Sequence, residues 1–304
     1  MAYGIFCGLT AALLMSTSYI FSKRFMLIHG SAFQLTVNAQ IFQGLLGAVL
    51  LLLIHDKYGM EGGVLHWRNL VFVLGASLIG MLANFAFFQT LKLLEASRLS
   101  SLLGLKIAML GMICMIFFGH TISWLQWTAI LLATVAAVGM NFTGGHITAK
   151  AGFWLFLTLL GYSMSDLAGA HVFTMIDGEN RLFTSFACTS LLALLPGITM
   201  VPMMVFRVVP FRWKTMLDSA PYGLCWFISL LFLFDCFNSM GVIFGTILQS
   251  ARGVISVLLG VLLLRWGFSQ YEPRVGRSAW IRRFIMAVLM VCAMTLYAIS
   301  KQQQ

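Results

Sequence analysis

Two cations stand where an apolar environment should exclude them. Lys106 lies inside Ser97–Phe118, SRLSSLLGLKIAMLGMICMIFF, and Arg252 lies inside Gly241–Leu264, GVIFGTILQSARGVISVLLGVLLL. Each stretch is long enough to cross a bilayer, which takes about 20 apolar residues. A cation near mid-bilayer costs at least about 3 kcal/mol on insertion scales, so such a residue faces a bundle interior or a wet cavity and meets a partner there. Lys106 is placed about 8 residues, or about 12 Å, past the start of its helix at 1.5 Å per residue, which is far for snorkelling. The planar fork of Arg252 suits a carboxylate or phosphate bidentately. Two such cations on separate helices point to a site for something anionic.

Carboxylates and neutral polar residues in the other apolar segments complete the candidate set. Asp166, in Tyr162-Ser-Met-Ser-Asp166, has three open roles. It can neutralise Arg252 or Lys106 in an empty site, carry a proton for coupling, or bind a substrate amine. Asp235, in Leu233-Phe-Asp235-Cys-Phe-Asn238, is placed to pair with Arg252 across the tight link that follows. Asn38, Asn84, Tyr162, His171, Asn238 and Gln249 are the uncharged residues that could line a path. Gln249 and Arg252, three apart, share a helix face. For each of these neutral groups, helix–helix hydrogen bonding is the plainer reading.

The elements that must position these residues follow from composition. The chain has 304 residues, 60% of them hydrophobic and only 9% charged, with a net charge of +10 and a mean hydropathy of +0.94. A soluble domain carries about 25% charged residues, so this is a multi-spanning membrane protein. The basic residues are scattered singly among the spans, which excludes a nucleic-acid-binding stripe. Six cysteines all fall in apolar segments without a CxxC pair and read as small buried hydrophobes. No basic region precedes the first apolar stretch and no Ala-x-Ala exit follows it, so that stretch is read as the first span and not as a cleaved signal.

Ten apolar segments occur: 3–21, 33–54, 70–91, 97–118, 124–142, 153–175, 182–206, 222–240, 241–264 and 284–299. Pro196 and Pro202 are expected to kink the seventh. Lipid offers the backbone no hydrogen bonds, so the spans should be helices. The link 143–150 divides the chain into two five-span halves, residues 1–145 and 146–304. Gly4-Ile-Phe-Cys-Gly-Leu-Thr aligns with Gly152-Phe-Trp-Leu-Phe-Leu-Thr at an offset of 148, and Lys106 aligns with Arg252 at an offset of 146. Five is odd, so the two halves must sit inverted. Inverted repeats with a midplane site are a transporter arrangement. The expected fold is therefore an all-α integral membrane protein of ten transmembrane helices in two inverted five-helix repeats.

Several runs carry a family resemblance. Ala12-Leu-Leu-Met-Ser-Thr-Ser-Tyr-Ile-Phe-Ser-Lys-Arg24, Phe88-Gln-Thr-Leu-Lys-Leu-Leu-Glu-Ala-Ser-Arg-Leu-Ser-Ser-Leu-Leu103 and Gly119-His-Thr-Ile-Ser-Trp-Leu-Gln-Trp127 resemble the EamA-type repeat of the drug/metabolite transporter superfamily. The resemblance implies a membrane transporter. Many members have Pro within the fourth and ninth helices and Glu after them. Here Lys106 and Arg252 occupy those mid-helix regions, and His120 and Trp266 stand near the Glu positions. Relatives that carry organic phosphates or nucleotide sugars are similar in placing cations on these two helices.

The expectation from the sequence is a secondary transporter, not an enzyme, for a small polar anionic or zwitterionic metabolite such as an organic phosphate, a carboxylate or an amino-acid-like solute. It works by alternating access, as an exchanger or coupled to protons. The alternative is an exporter of amines or hydrophobic drugs, and a non-transporting membrane receptor is a more distant one. No Walker-type ATP loop, G-x-S-x-G elbow or HExxH occurs, and no cofactor or metal is expected. The expected partners are the solute, the lipid bilayer and protons or a counter-substrate. The expected setting is a monomer, multi-pass in a bacterial cytoplasmic (inner) membrane. Loops after odd-numbered spans hold 13 Lys and Arg, and the opposite side holds four, Lys57, Arg68, Arg181 and Lys301. The positive-inside rule then places both termini outside the cytoplasm, the reverse of the family's usual arrangement.

Overall fold

The computed structural model describes residues 2–54, 67–94, 99, 102–119, 121–140, 147–176, 181–252, 254–255, 258–259, 262 and 277–302. The join between residues 145 and 146, His120 and Trp266 lie outside these residues.

All regular structure among the described residues is helical. The helices are α1 (Ala2–His29), α2 (Ala32–Ile54), α3 (Trp67–Leu93), α4 (Lys106–Phe118), α5 (Trp124–Met140), α6 (Ala149–Met175), α7 (Arg181–Val205), α8 (Trp213–Met240), α9 (Val242–Ser250) and α10 (Arg277–Gln302). Six of them, α1, α2, α3, α7, α8 and α10, contain stretches long and apolar enough to cross a membrane.

Polarity is distributed as a bilayer demands. Leu52, Leu53, Phe117 and Phe206 point outward, while Asn38, Thr90, Thr158, Ser163 and Asp235 are buried. In water that arrangement would expose apolar surface; in lipid that surface meets acyl chains, and the polar groups turn to neighbouring helices.

Several helices are longer than the apolar runs that announce them. α1 continues past Lys23 and Arg24 to His29, and α8 begins at Trp213, nine residues before Tyr222. The cause is that a helix does not end where the membrane does: backbone hydrogen bonding continues into the polar interface. Pro221 therefore lies inside α8, and Pro196 and Pro202 lie inside a single α7. α8 and α9 are joined by Gly241 alone, whose φ of 81° is a conformation that favours glycine.

The helices pair between halves. α1 packs most extensively on α8, α3 on α6, α2 on α7 and α5 on α10. The α1–α8 pair runs antiparallel along its whole length. Gly4 meets Met240, Gly8 meets Cys236, Tyr19 meets Trp226 and His29 meets Asp218. The α3–α6 pair is also antiparallel, with Thr90 against Thr158, Asn84 against Tyr162 and Phe72 against His171. Exchanging α1–α5 for α6–α10 maps this set of pairs onto itself.

Small residues allow the closest approaches. A Cβ on Gly44 would stand 2.8 Å from Gly197 Cα, and one on Gly47 would stand 2.6 Å from Ser190 O. The cysteines are thiols and not disulfides: Cys7, Cys114, Cys188 and Cys236 are buried, Cys225 is half-buried and Cys292 is exposed.

Candidate binding site

The helix carrying Lys106 is discontinuous. A 3₁₀ turn over Leu103–Leu105 precedes it, and α4 begins at Lys106 itself. The sequence suggested a helix already running for several residues, and Leu99 and Leu102 are indeed helical; between Leu102 and Lys106 the chain tightens where Gly104 packs closely on Ala137 of α5. In the second half, Ala251 N donates to Leu248 O at 3.0 Å, a bond of the same i→i+3 type, and Arg252 follows at once. Each cation thus stands just after a local tightening of its helix.

Lys106 is buried at 7% exposure. Its Nζ lies 2.5 Å from Asp166 Oδ2, donates to Gln249 Oε1 at 3.4 Å and stands 6.0 Å from the Tyr162 ring centroid. Of the roles open to Asp166, the geometry realises the counter-charge to Lys106. Gln249 is held by its other end, Nε2 donating toward Met15 Sδ at 3.2 Å. Tyr162 Oη donates to Asn84 Oδ1 at 2.9 Å.

Arg252 is half-buried. Its Nη1 donates to Tyr19 Oη at 3.3 Å, and its guanidinium carbon lies 5.9 Å from the Tyr19 ring centroid. Ser16 Oγ donates to the Arg252 carbonyl at 3.1 Å. Among the described residues, no carboxylate lies within ion-pair distance of Arg252. Gln249, which accepts from Lys106, lies three residues before Arg252 on the same stretch of chain.

Helices α1, α3 and α4 from the first half and α6, α8 and α9 from the second build this cluster. It includes three aromatic residues that the sequence did not single out. Tyr19 meets Trp226 edge to face at 6.2 Å, and Trp226 stacks with Tyr222 at 6.1 Å.

Other candidates fall elsewhere. Asp235 is buried near the opposite end of the α1–α8 seam. It accepts a hydrogen bond from Tyr3 Oη, and Cys7 Sγ lies 3.7 Å from the same carboxylate oxygen. Arg252 reaches Tyr19 instead, so the pairing expected across the α8–α9 link is not the arrangement adopted. Asn238 and His171 are exposed, His171 lying edge-on to Phe72 at 5.0 Å. Asn38 is fully buried, and its Nδ2 finds no hydrogen-bond partner among the described residues. No cluster of three or more His, Cys, Asp or Glu suited to a metal occurs among them.

No curated protein matches the chain in sequence. One solved crystal structure of a protein covers 100% of this chain and 99% of its own at a TM-score of 0.70 and 16% identity, which is a likeness of fold. The sequence profile of the EamA-like transporter family matches residues 2–142. Over those residues, which include α1 to α5 and Lys106, the chain is similar to the EamA-like transporter family, membrane transporters of the drug/metabolite transporter superfamily.

Proposed function

We propose that this protein is a secondary transporter of a small anionic or zwitterionic metabolite, bound by Arg252 between two inverted five-helix halves. The observation that carries the reading is the unequal treatment of the two cations. Lys106 has Asp166 at 2.5 Å, while among the described residues the Arg252 side chain has only the hydroxyl and ring of Tyr19. Among the described residues one carboxylate faces two cations, so the empty site holds a net positive charge. An anionic group on Arg252 would cancel it through charge-assisted hydrogen bonds.

The antiparallel pairing of α1 with α8, α2 with α7 and α3 with α6 supports ten crossings in alternating directions. The exchange symmetry of that pairing supports inverted halves, with Lys106 and Arg252 as their related residues. In such a carrier the halves rock about the central site. An unpaired charge in low dielectric is costly to carry across, so the loaded, neutralised carrier reorients more readily than the empty one. That favours exchange of one solute for another over net flux. A zwitterionic solute would place its anion on Arg252 and its ammonium near Asp166, competing with Lys106. The working unit is a monomer in a bacterial inner membrane.

The test is flux in proteoliposomes loaded with organic phosphates or carboxylates. Labelled solute should enter faster against an internal pool of the same solute than against buffer. Arg252→Ala and Lys106→Ala carriers that still transport at the wild-type rate would remove the assignment.

A further inference from the structure

We infer that Tyr19, Trp226 and Tyr222 form a ring-binding subsite beside Arg252, so that the solute carries a planar aromatic or heteroaromatic ring together with its anionic group. The inference rests on the proposed anion site at Arg252 and specifies what else that site recognises.

The three rings are contiguous and interior. Trp226 lies between Tyr19, edge to face at 6.2 Å and 64°, and Tyr222, stacked at 6.1 Å and 29°. All three are half-buried: they lie between α1 and α8 yet keep accessible surface. Tyr222 Oη makes no hydrogen bond among the described residues. Tyr222 keeps accessible surface, so this hydroxyl is open to a bound polar group. Tyr19 touches both Arg252 and Trp226, so the rings and the guanidinium are contiguous.

Ring geometry decides between two ligand classes. Aromatic side chains set as walls around a space favour an ammonium group by cation–π attraction. Here Trp226 and Tyr222 lie nearly parallel, as a slab, and Arg252 already stands over the Tyr19 ring at 5.9 Å. A second cation beside Arg252 would be repelled. A flat ring extends the slab by offset stacking, and its anionic substituent falls on the guanidinium side. A ring–ring contact strengthens binding on the order of 3-fold to 10-fold beyond what area alone gives.

The experiment compares matched anions on the detergent-purified full chain by ligand-induced shift of the melting temperature, which follows binding to the folded state. The probes are phenyl phosphate, cyclohexyl phosphate and inorganic phosphate, with phenylacetate and cyclohexylacetate as a carboxylate pair. The expected result is that each aromatic probe binds about 3-fold to 10-fold tighter than its saturated partner. Trp226→Leu should bring the ratio to near one while the saturated probes bind as before, and Trp226→Phe should keep it. If wild type binds aromatic and saturated anions equally, the ring subsite is overturned while the anion site stands. If no anion binds and phenethylamine does, the reading of Arg252 as the anion site falls, and this inference with it. The wild-type ratio needs no variant, so a poorly folding Trp226→Leu leaves it as the deciding number.

Discussion

Lys106 Nζ and Asp166 Oδ2 stand 2.5 Å apart and tie α4 of the first half to α6 of the second. Both side chains are largely shielded from solvent, so neither charge has water to fall back on. Removing one partner of such a pair costs about 3–5 kcal/mol, because the survivor is left charged and buried, whereas replacing both with apolar groups is often neutral. Asp166→Asn is therefore expected to lower the unfolding temperature in detergent markedly, and Lys106→Met/Asp166→Leu to recover most of it. The double variant should be stable and without transport. A double variant as unstable as Asp166→Asn would mean that the pair itself, and not the isolated lysine, decides stability.

Arg252 differs from Lys106 in having a ring and a hydroxyl as its neighbours where Lys106 has a carboxylate. Arg252→Lys keeps the charge but loses the planar fork that grips an oxyanion at two points. The expectation is a KM for the transported anion raised at least about 10-fold, the equivalent of about 1.4 kcal/mol, with the protein still folded. Arg252→Ala should abolish saturable uptake. An Arg252→Lys carrier with wild-type KM would show that only a point charge is needed there.

How far the site was legible depended on what each residue looks like against its background. Lys106, Arg252 and Asp166 stand out because a charge in an apolar run has few explanations; the structure pairs Lys106 with Asp166 and sets Arg252 three residues past Gln249, which Lys106 also contacts. Tyr19, Tyr222 and Trp226 do not stand out: an aromatic residue in a membrane segment usually faces lipid or packing, and only the α1–α8 pairing brings these together. Asp235 misleads because sequence proximity favoured Arg252, whereas the antiparallel seam delivers Tyr3 and Cys7 from more than two hundred residues away. Asn238 and His171 lie within the last five residues of α8 and α6. A polar side chain there can reach the interface, a possibility that helical spacing cannot separate from facing the bundle. The helices themselves were legible because lipid permits little else; their ends were not, because Lys23 and Arg24 mark where the apolar run stops and not where hydrogen bonding does.

The seam between α2 and α7 makes a stability prediction that is independent of transport. A methyl group at Gly47 would come within 2.6 Å of Ser190 O, a backbone atom that cannot swing aside, so the helices must part. Gly47→Ala should destabilise by about 1–3 kcal/mol, the usual cost of overpacking. Gly75 in α3 meets nothing within 4 Å, so Gly75→Ala should be neutral or stabilising by up to about 1 kcal/mol, the helix-propensity gain. Thermal unfolding of both variants in one detergent checks the pair. Equal shifts would show that close helix approach is not what Gly47 provides.

The placement of basic residues predicts orientation. His29 meets Asp218 at 2.8 Å, which sets the C-terminal end of α1 beside the N-terminal part of α8. Lys23 and Arg24 lie in the last two turns of α1, and Arg212 and Lys214 flank the start of α8, so one end of the seam collects these cations. The other end holds Tyr3 and the buried carboxylate of Asp235. Lys and Arg are retained on the cytoplasmic side, so the His29–Asp218 end should face the cytoplasm and Tyr3 should lie outside it. α10 runs antiparallel to α5, with Met286 near Gly139 and Ser300 near Ser123, so in an alternating ten-helix arrangement the C-terminus joins Tyr3 on the outer side. A C-terminal green fluorescent protein fusion in a bacterial host should then be dark, and an alkaline phosphatase fusion at the same residue active. A bright fluorescent fusion with an inactive phosphatase would reverse the orientation. The basic end of the α1–α8 seam would then face outward, against the charge rule.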